Sequence, residues 1–307
     1  MSTLINIKDL FDLSKNKYSH LNDLIIIGGP TCVGKSKIAI QLAKKIDGVL
    51  INADSIQVYK DLRLLSARPT LEDEKIVPHF LYGYVKSQVN YSVGKWLNDL
   101  NKTLEHVKKM QKTPILVGGS GLYLNSIIKG LVSIPKISEK IKKQSVFTLN
   151  KLGIEKFRQL NFKIDPIFVN KNIDQQRLIR AYSVYLQTNK NMSFWYSNPR
   201  KNLIKKKIYP FLIKLDRDLI YKNCETRFDD MLDKGALEEV KLLKNSYIDQ
   251  SLPIMKSLGV KWLIKYLSNE VSLEMAIKLS KRDTRRYVKR QITWFSHNYI
   301  PYKIINL

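Results

Sequence analysis

An α/β fold, a parallel sheet flanked by helices, is predicted by three features of this 307-residue chain. A dense apolar run at residues 24–27 ends in Gly28-Gly29-Pro30. Apolar positions then recur at helical spacing (Ile38, Ala39, Leu42, Ala43, Ile46). A second apolar run, residues 49–51, stops at Asn52-Ala53-Asp54. Short apolar runs bounded by turn residues read as buried strands, and a 3.6-residue period reads as a helix packing on them. Strand, helix and strand at this spacing imply parallel pairing. The next elements repeat the scheme, with a helix over residues 93–110 and a strand over residues 114–117 that ends at Gly118-Gly119.

The pattern changes near Pro135. Residues 136–206 show helical periodicity without a strand, most clearly at 174–187. A β-like segment returns at 209–215, and the chain after Asp218 is helical, with turns around Gly235, Pro253 and Gly259. The expected organisation is therefore an N-terminal extension (1–23), an α/β core (24–137 and 207–307) completed by C-terminal helices, and a helical insertion (138–206).

Fifty-three Lys and Arg against 27 Asp and Glu leave a formal charge of +26, a field that attracts polyanions such as nucleic acid or an anionic membrane surface. Lys, Asn and Ile are abundant throughout, and that compositional bias accounts for part of the excess. No apolar run approaches the roughly 18 residues of a membrane span, and residues 1–22 lack the apolar core of a signal peptide. Cys32 and Cys224 offer neither a metal spacing nor a disulfide framework and read as free thiols of a reducing compartment. A soluble cytoplasmic protein is expected.

Gly29-Pro30-Thr31-Cys32-Val33-Gly34-Lys35-Ser36 fits G-x-x-x-x-G-K-[ST] between a strand and a helix. Glycines let backbone N–H groups turn inward, the helix from Ser36 adds its positive end, Lys35 supplies a charge, and Ser36 a hydroxyl able to hold Mg²⁺. The core is thus P-loop NTPase-like. Such a loop suits any diphosphate or triphosphate and does not name a reaction.

Ligands of an open parallel sheet lie beyond the carboxyl ends of its strands. The phosphate loop, Asp54-Ser55 and Ser120 all occupy that edge and are expected to share one pocket. Asp54 reads equally as a general base or metal group and as a turn residue. Arg177 and Arg180 share a helix face. On a wheel for residues 284–297, Arg285, Arg286, Lys289, Arg290 and Thr293 fall on one arc, and Tyr287, Val288, Ile292, Trp294 and Phe295 on the other. The apolar arc packs inward, and the basic arc meets either solvent or phosphates.

These residues carry a resemblance. GPTCVGKS (29–36), DSIQVYKDL (54–62), SARPT (66–70), VGGSGLYL (117–124), DQQRLIRA (174–181) and TRRYVKRQITWF (284–295) resemble, in order and spacing, the bacterial tRNA dimethylallyltransferases of the tRNA isopentenyltransferase family. The match runs from about Leu24 to Phe295. The phosphate loop alone is unspecific, whereas its co-occurrence with D-S-x-Q-x-Y, G-G-[ST]-x-x-Y and the terminal basic-aromatic motif is not.

The resemblance implies transfer of the dimethylallyl group from dimethylallyl diphosphate, with Mg²⁺, to N6 of adenosine 37 of tRNA, and release of diphosphate. The target base is flipped into the site. It implies Asp54 as the proton acceptor and Ser120, where the family usually has Thr, as a hydrogen-bond partner of the departing oxygen. Residues 29–36 and Arg177 would bind the diphosphate. Asp54, Ser55, Ile56, Gln57, Ser120, Gln176, Arg177, Leu178, Ile179 and Arg180 match family segments that touch tRNA. So do Lys256, Gly259, Lys261, Arg285, Arg286, Lys289, Arg290 and Gln291, with Lys142 a looser match. A monomer is expected.

The chain departs from the family pattern at three places. Pro78-His79 is followed by Phe80 where two adjacent His are common, residues 188–191 read Thr-Asn-Lys-Asn where Thr-Gly-x-Pro is common, and Gly259-Val260 replaces Gly-Tyr. Two alternatives stand beside the transferase: a P-loop small-molecule kinase, which leaves both basic helices unexplained, and a nucleic-acid-binding protein with a vestigial phosphate loop, which leaves Lys35, Ser36, Asp54 and Ser120 unexplained.

Overall fold

A computed structural model describes residues 23–170, 173–246 and 248–307, so the expected extension 1–23 lies outside the described residues apart from Asp23, which opens the first strand. Two compact units emerge among the described residues, 23–128 with 203–307, and 129–202.

The first unit contains β1 (Asp23–Gly28), α1 (Lys35–Lys45), β2 (Gly48–Asn52), α2 (Leu71–Ile76), β3 (His79–Phe80), α3 (Val93–Lys109), β4 (Thr113–Gly118) and α4 (Gly121–Ile128). The second contributes α5 (Glu139–Ile164), α6 (Pro166–Val169), α7 (Gln175–Thr188) and α8 (Met192–Ser197). The chain then returns with β5 (Lys207–Lys214), α9 (Arg217–Asp233), α10 (Ala236–Asn245), α11 (Val260–Leu267), α12 (Leu273–Asn298) and β6 (Lys303–Asn306).

All six strands are parallel, in the order β3-β2-β4-β1-β5-β6. β1 sits between β4 and β5, which is why its residues Leu24–Ile27 are wholly buried. Side chains of this kind stabilise the fold by about 1.5–3 kcal/mol each. The register aligns Gly28 with Gly118 and Asn52 with Val117, so the loops after β1, β2 and β4 leave the sheet at the same edge. β3 and β6 were not expected. They are short edge strands whose pairing is decided by contact with β2 and β5 rather than by a local pattern.

The long helix α12 presents a buried stripe of Ala276, Ser280, Thr284, Val288, Gln291 and Phe295. Val288 and Phe295 stand where the wheel put them, and Thr284 and Gln291, which it assigned to neither arc, complete the buried stripe. Thr284 satisfies its hydroxyl on the carbonyl of Ser280 at 2.9 Å, one turn back.

The second unit is helical, with an isolated antiparallel bridge between Leu131 and Lys201. It begins nine residues before the expected boundary and ends four before it, because that bridge ties its two ends together. α5 is interrupted at Gly153 (φ 74°). Its cores gather Leu149, Phe157 and Leu178 in one cluster, and Ile137, Val184 and Met192 in another. The Thr188-Asn189 departure has a physical answer. Asn189 takes the left-handed conformation (φ 51°) that ends α7, where a glycine is usual and Asn the best substitute. Asn191 then caps α8 by accepting the Phe194 N–H at 2.9 Å.

Candidate active site

The phosphate loop connects β1 to α1. Gly34 precedes the first turn of α1 with φ 88°, a conformation that disfavours a side chain, and no side chain caps the helix. The first N–H groups of α1 therefore have no intrahelical partner and face the loop, an anion-binding arrangement. Lys35 lies half-buried with its Nζ donating to the Pro30 carbonyl at 2.6 Å. Burial lowers its pKa to about 8, and the Asp54 carboxylate works against that shift. A partly desolvated ammonium held beside a carboxylate is well prepared to accept a phosphate oxygen.

After β2 the chain turns sharply under the control of Asn52. Its amide donates to the carbonyls of Asp54 (2.9 Å) and Leu81 (3.1 Å), and its Oδ1 accepts the Asp54 N–H at 2.8 Å. Asp54 Oδ1 accepts the N–H groups of Ile56 (2.9 Å) and Gln57 (3.4 Å), while Oδ2 has no hydrogen bond among the described residues. The turn role and a free oxygen thus coexist in one side chain. Burial first, and the Asp54 charge second, push the phenols of Tyr82, Tyr123 and Tyr287 upward, so all three stay protonated.

A cavity of about 480 Å³ joins these parts. It is lined by Thr31, Cys32, Gly34, Lys35 and Ser36 of the loop, by Asp54 and Gln57, by Gly118 and Gly119, and by Gln291. Another wall is formed by α9, carrying Lys222, Asn223, Thr226, Arg227 and Asp230. Arg227 Nη2 donates to Thr31 Oγ1 at 2.7 Å. Arg227 was not among the sequence candidates. The signal available was the helical spacing of 223, 227 and 230 on the face adjoining the buried Ile220, Cys224 and Phe228.

Several expected residues stand elsewhere. Ser120 does not line the cavity. It is 8% exposed, and its hydroxyl accepts the Ser55 N–H at 3.0 Å and lies 3.4 Å from the Ser55 Oγ, binding the β2 and β4 loops together. Gln291, expected among the tRNA contacts, is a buried strut. Its Oε1 accepts the Thr31 N–H at 2.9 Å and its Nε2 donates to the Gly119 carbonyl at 3.0 Å. Gly119 has no room for a side chain there, since a Cβ would stand 2.5 Å from that same Nε2. Arg285 is half-buried and ion-paired with Glu225, whereas Arg286, Lys289 and Arg290 are exposed as the wheel predicted. Lys256 and Lys261 are exposed, while Gly259 (φ 91°) is buried beside Phe228 and Leu65. Gln57 commits its amide to the carbonyls of Ser66 and Ala67 at 3.0 and 2.8 Å, and Ile56 is half-buried.

In the helical unit, Arg177 and Arg180 are exposed on α7 together with Gln176, Ile179 is half-buried, and Leu178 is fully buried in that unit's own core. The Asp174 carboxylate caps α7 by accepting the Arg177 N–H at 2.9 Å, and Lys142 pairs with Glu139 at 2.6 Å. Leu178 is thus a packing residue, and a tRNA contact from it would have to come from its backbone.

A parallel sheet carrying a phosphate loop after its first strand and a carboxylate after its second defines a P-loop enzyme core. The IPP transferase family model matches residues 57–298, and the chain belongs to that family. The tRNA dimethylallyltransferase of Bartonella tribocorum is 39% identical over 282 residues, which cover 91% of this chain and 97% of the relative. That of Ehrlichia chaffeensis is 37% identical over 281 residues, covering 91% and 92%. A eukaryotic dimethylallyltransferase solved acting on tRNA superposes with a TM-score of 0.79 at 27% identity, covering 93% of this chain and 74% of that one. The tRNA isopentenylpyrophosphate transferase of Bacillus halodurans gives 0.65 at 29% identity, covering 93% and 89%. Among the described residues no helix is long and apolar enough to cross a membrane.

Proposed function

We propose that the protein transfers the dimethylallyl group of dimethylallyl diphosphate to N6 of adenosine 37 in tRNA, releasing diphosphate, in the cytoplasm. The observation that carries this reading is the single cavity shared by the phosphate loop, Arg227 and Asp54. The transferase relatives favour it over the kinase alternative.

The transfer breaks the bond between the donor's C1 and its diphosphate oxygen, forms a C1–N6 bond, and frees one proton from the amine. An adenine amine is a weak nucleophile because its lone pair is delocalised into the ring. The free Oδ2 of Asp54 accepts its proton while Oδ1 keeps the turn in place, so the base is fixed before substrate arrives. Charge growing on the departing oxygen is met by Lys35, Arg227 and the N–H groups of the loop. Ser120 contributes by holding the Asp54 loop through Ser55. The Ser36 hydroxyl lines the same cavity and would hold Mg²⁺ together with the oxygens of the diphosphate. When bound, the ion would neutralise diphosphate charge.

The exposed basic residues of α12 and α7, with Lys256 and Lys261, are assigned to the tRNA backbone, giving the net charge of +26 its use. The test is to incubate the protein with unmodified tRNA and labelled dimethylallyl diphosphate and to map the label. Label on N6 of adenosine 37 supports the assignment. Phosphoryl transfer from ATP without prenyl transfer overturns it.

A further inference from the structure

We propose that Cys32 and Cys224 form a reversible disulfide that closes the phosphate loop to its anionic ligand. They are the only two cysteines of the chain, 192 positions apart, and the fold packs both into one apolar cluster. Cys32 lies in the middle of the phosphate loop with φ 62°, half-buried and lining the cavity. Cys224 is buried on α9, within the same segment that grips the loop. Asn223 Nδ2 donates to the Cys32 carbonyl at 3.3 Å, and Arg227 donates to Thr31 at 2.7 Å. Cys224 lies between those two anchors along α9, and its thiol is the strongest single influence on the Cys32 sulfur.

The two thiols are chemically unlike. The neighbouring Cys224 thiol is the largest influence on Cys32 and lowers its pKa. Burial opposes this, and the Arg227 and Lys35 cations add to the lowering. The Cys32 sulfur first, and burial second, push Cys224 upward. A thiolate open to the cavity beside a protonated, sheltered thiol is the pairing of an attacking and a resolving cysteine. The oxidant required is a hydroperoxide, small enough to enter a 480 Å³ cavity. The Cys32 thiolate attacks one peroxide oxygen, the O–O bond breaks, and hydroxide or alkoxide leaves with the electron pair, making a sulfenic acid. Cys224 then attacks that sulfur. The S–S bond forms, and the sulfenic hydroxyl leaves with the thiol proton as water. A dithiol reverses the change.

The consequence for the ligand rests on the diphosphate reading of the loop; the cross-link itself does not. An S–S bond is far shorter than any approach of two unlinked sulfurs, so closure draws Cys32 toward α9. A binding constellation tolerates displacements of only about 0.5 Å.

The full-length protein is treated with hydrogen peroxide, remaining thiols are alkylated, linked peptides are identified by mass, and binding of inorganic pyrophosphate is measured calorimetrically. The expected result is an intramolecular Cys32–Cys224 link with at least a tenfold loss of pyrophosphate affinity, both reversed by dithiothreitol. Bound pyrophosphate should slow the linking. Cys224→Ser, or Cys224→Ala if the first folds poorly, should bind pyrophosphate normally and after peroxide carry only oxygen adducts on Cys32. Absence of the link, links only between molecules, or a linked protein with unchanged affinity would each overturn the proposal. If reduced wild-type protein bound no pyrophosphate, the functional reading would fall, and the peptide masses would still decide the disulfide.

Discussion

Asp54 has two oxygens with different employments, and that division sets what a substitution should do. Removing the whole carboxylate also removes the acceptor for the Ile56 and Gln57 N–H groups, so Asp54→Ala mixes loss of base with loss of turn. Asp54→Asn keeps an acceptor at Oδ1 and removes only the basicity. Single-turnover prenyl transfer by Asp54→Asn should be slower by roughly 10²–10⁴-fold with tRNA affinity within a few-fold of wild type; normal turnover would eliminate the base assignment. His79 makes a pH prediction independent of catalysis. Its Nδ1 lies 2.8 Å from the Val77 carbonyl, its Nε2 is buried without a partner, and burial lowers its pKa below the ordinary 6.5. A group held neutral in the native state binds its proton more readily once unfolded, so stability falls as pH drops through about 6.5. Urea unfolding between pH 7 and 5 should show this decline, and His79→Gln should remove part of it; an unchanged slope in the variant would refute the assignment. At this scale Asp54 and Lys35 were legible because their motifs are local. Arg227 was not, because it reaches Thr31 across 196 positions and only the packing of α9 reveals it.

Two helices, α9 and α12, complete a phosphate site that the loop begins. Gln291 of α12 bonds both the Thr31 N–H and the Gly119 carbonyl, and so fixes the loop after β1 to the loop after β4. Gln291→Ala should leave both backbone groups without a partner, at a cost of about 1–3 kcal/mol for each group that water cannot reach. Chemical denaturation combined with pyrophosphate titration checks this, and a loss of stability without weakened pyrophosphate binding would show that the strut does not shape the loop. The opposite face of α12 makes a separate prediction. Replacing the exposed Lys289 and Arg290 by Ala should weaken tRNA binding and reduce its salt slope by up to about two. An unaltered slope would mean that this face is merely solvated. Helical and strand periodicity made β1, β2, β4, β5 and α12 readable before any coordinates. β3, with two residues, and β6, whose four residues pair with β5 near the chain end, carry too little pattern to be read alone. The wheel for α12 placed its basic arc correctly and missed Thr284 and Gln291, because burial of a satisfied polar side chain depends on partners remote in sequence.

Over the whole molecule, the six-stranded parallel sheet brings the ends of β1, β2 and β4 to one edge, and charge, loop and carboxylate meet there in a single cavity. The α/β class and the shared strand edge followed from order and spacing. The insertion's limits were displaced because a lone bridge, Leu131 with Lys201, is invisible to periodicity. The central claim is that this cavity receives the diphosphate of a prenyl donor. A ligand that binds the native state alone stabilises it by about 2.7 kcal/mol at a hundred times its dissociation constant. The most direct measurement is therefore the melting temperature with Mg²⁺ and saturating dimethylallyl diphosphate or ATP, for wild type, Lys35→Ala and Arg227→Gln. A rise with dimethylallyl diphosphate that exceeds the rise with ATP and is lost in both variants is the predicted result. Stabilisation by ATP alone, or a rise with dimethylallyl diphosphate that survives both substitutions, would contradict it.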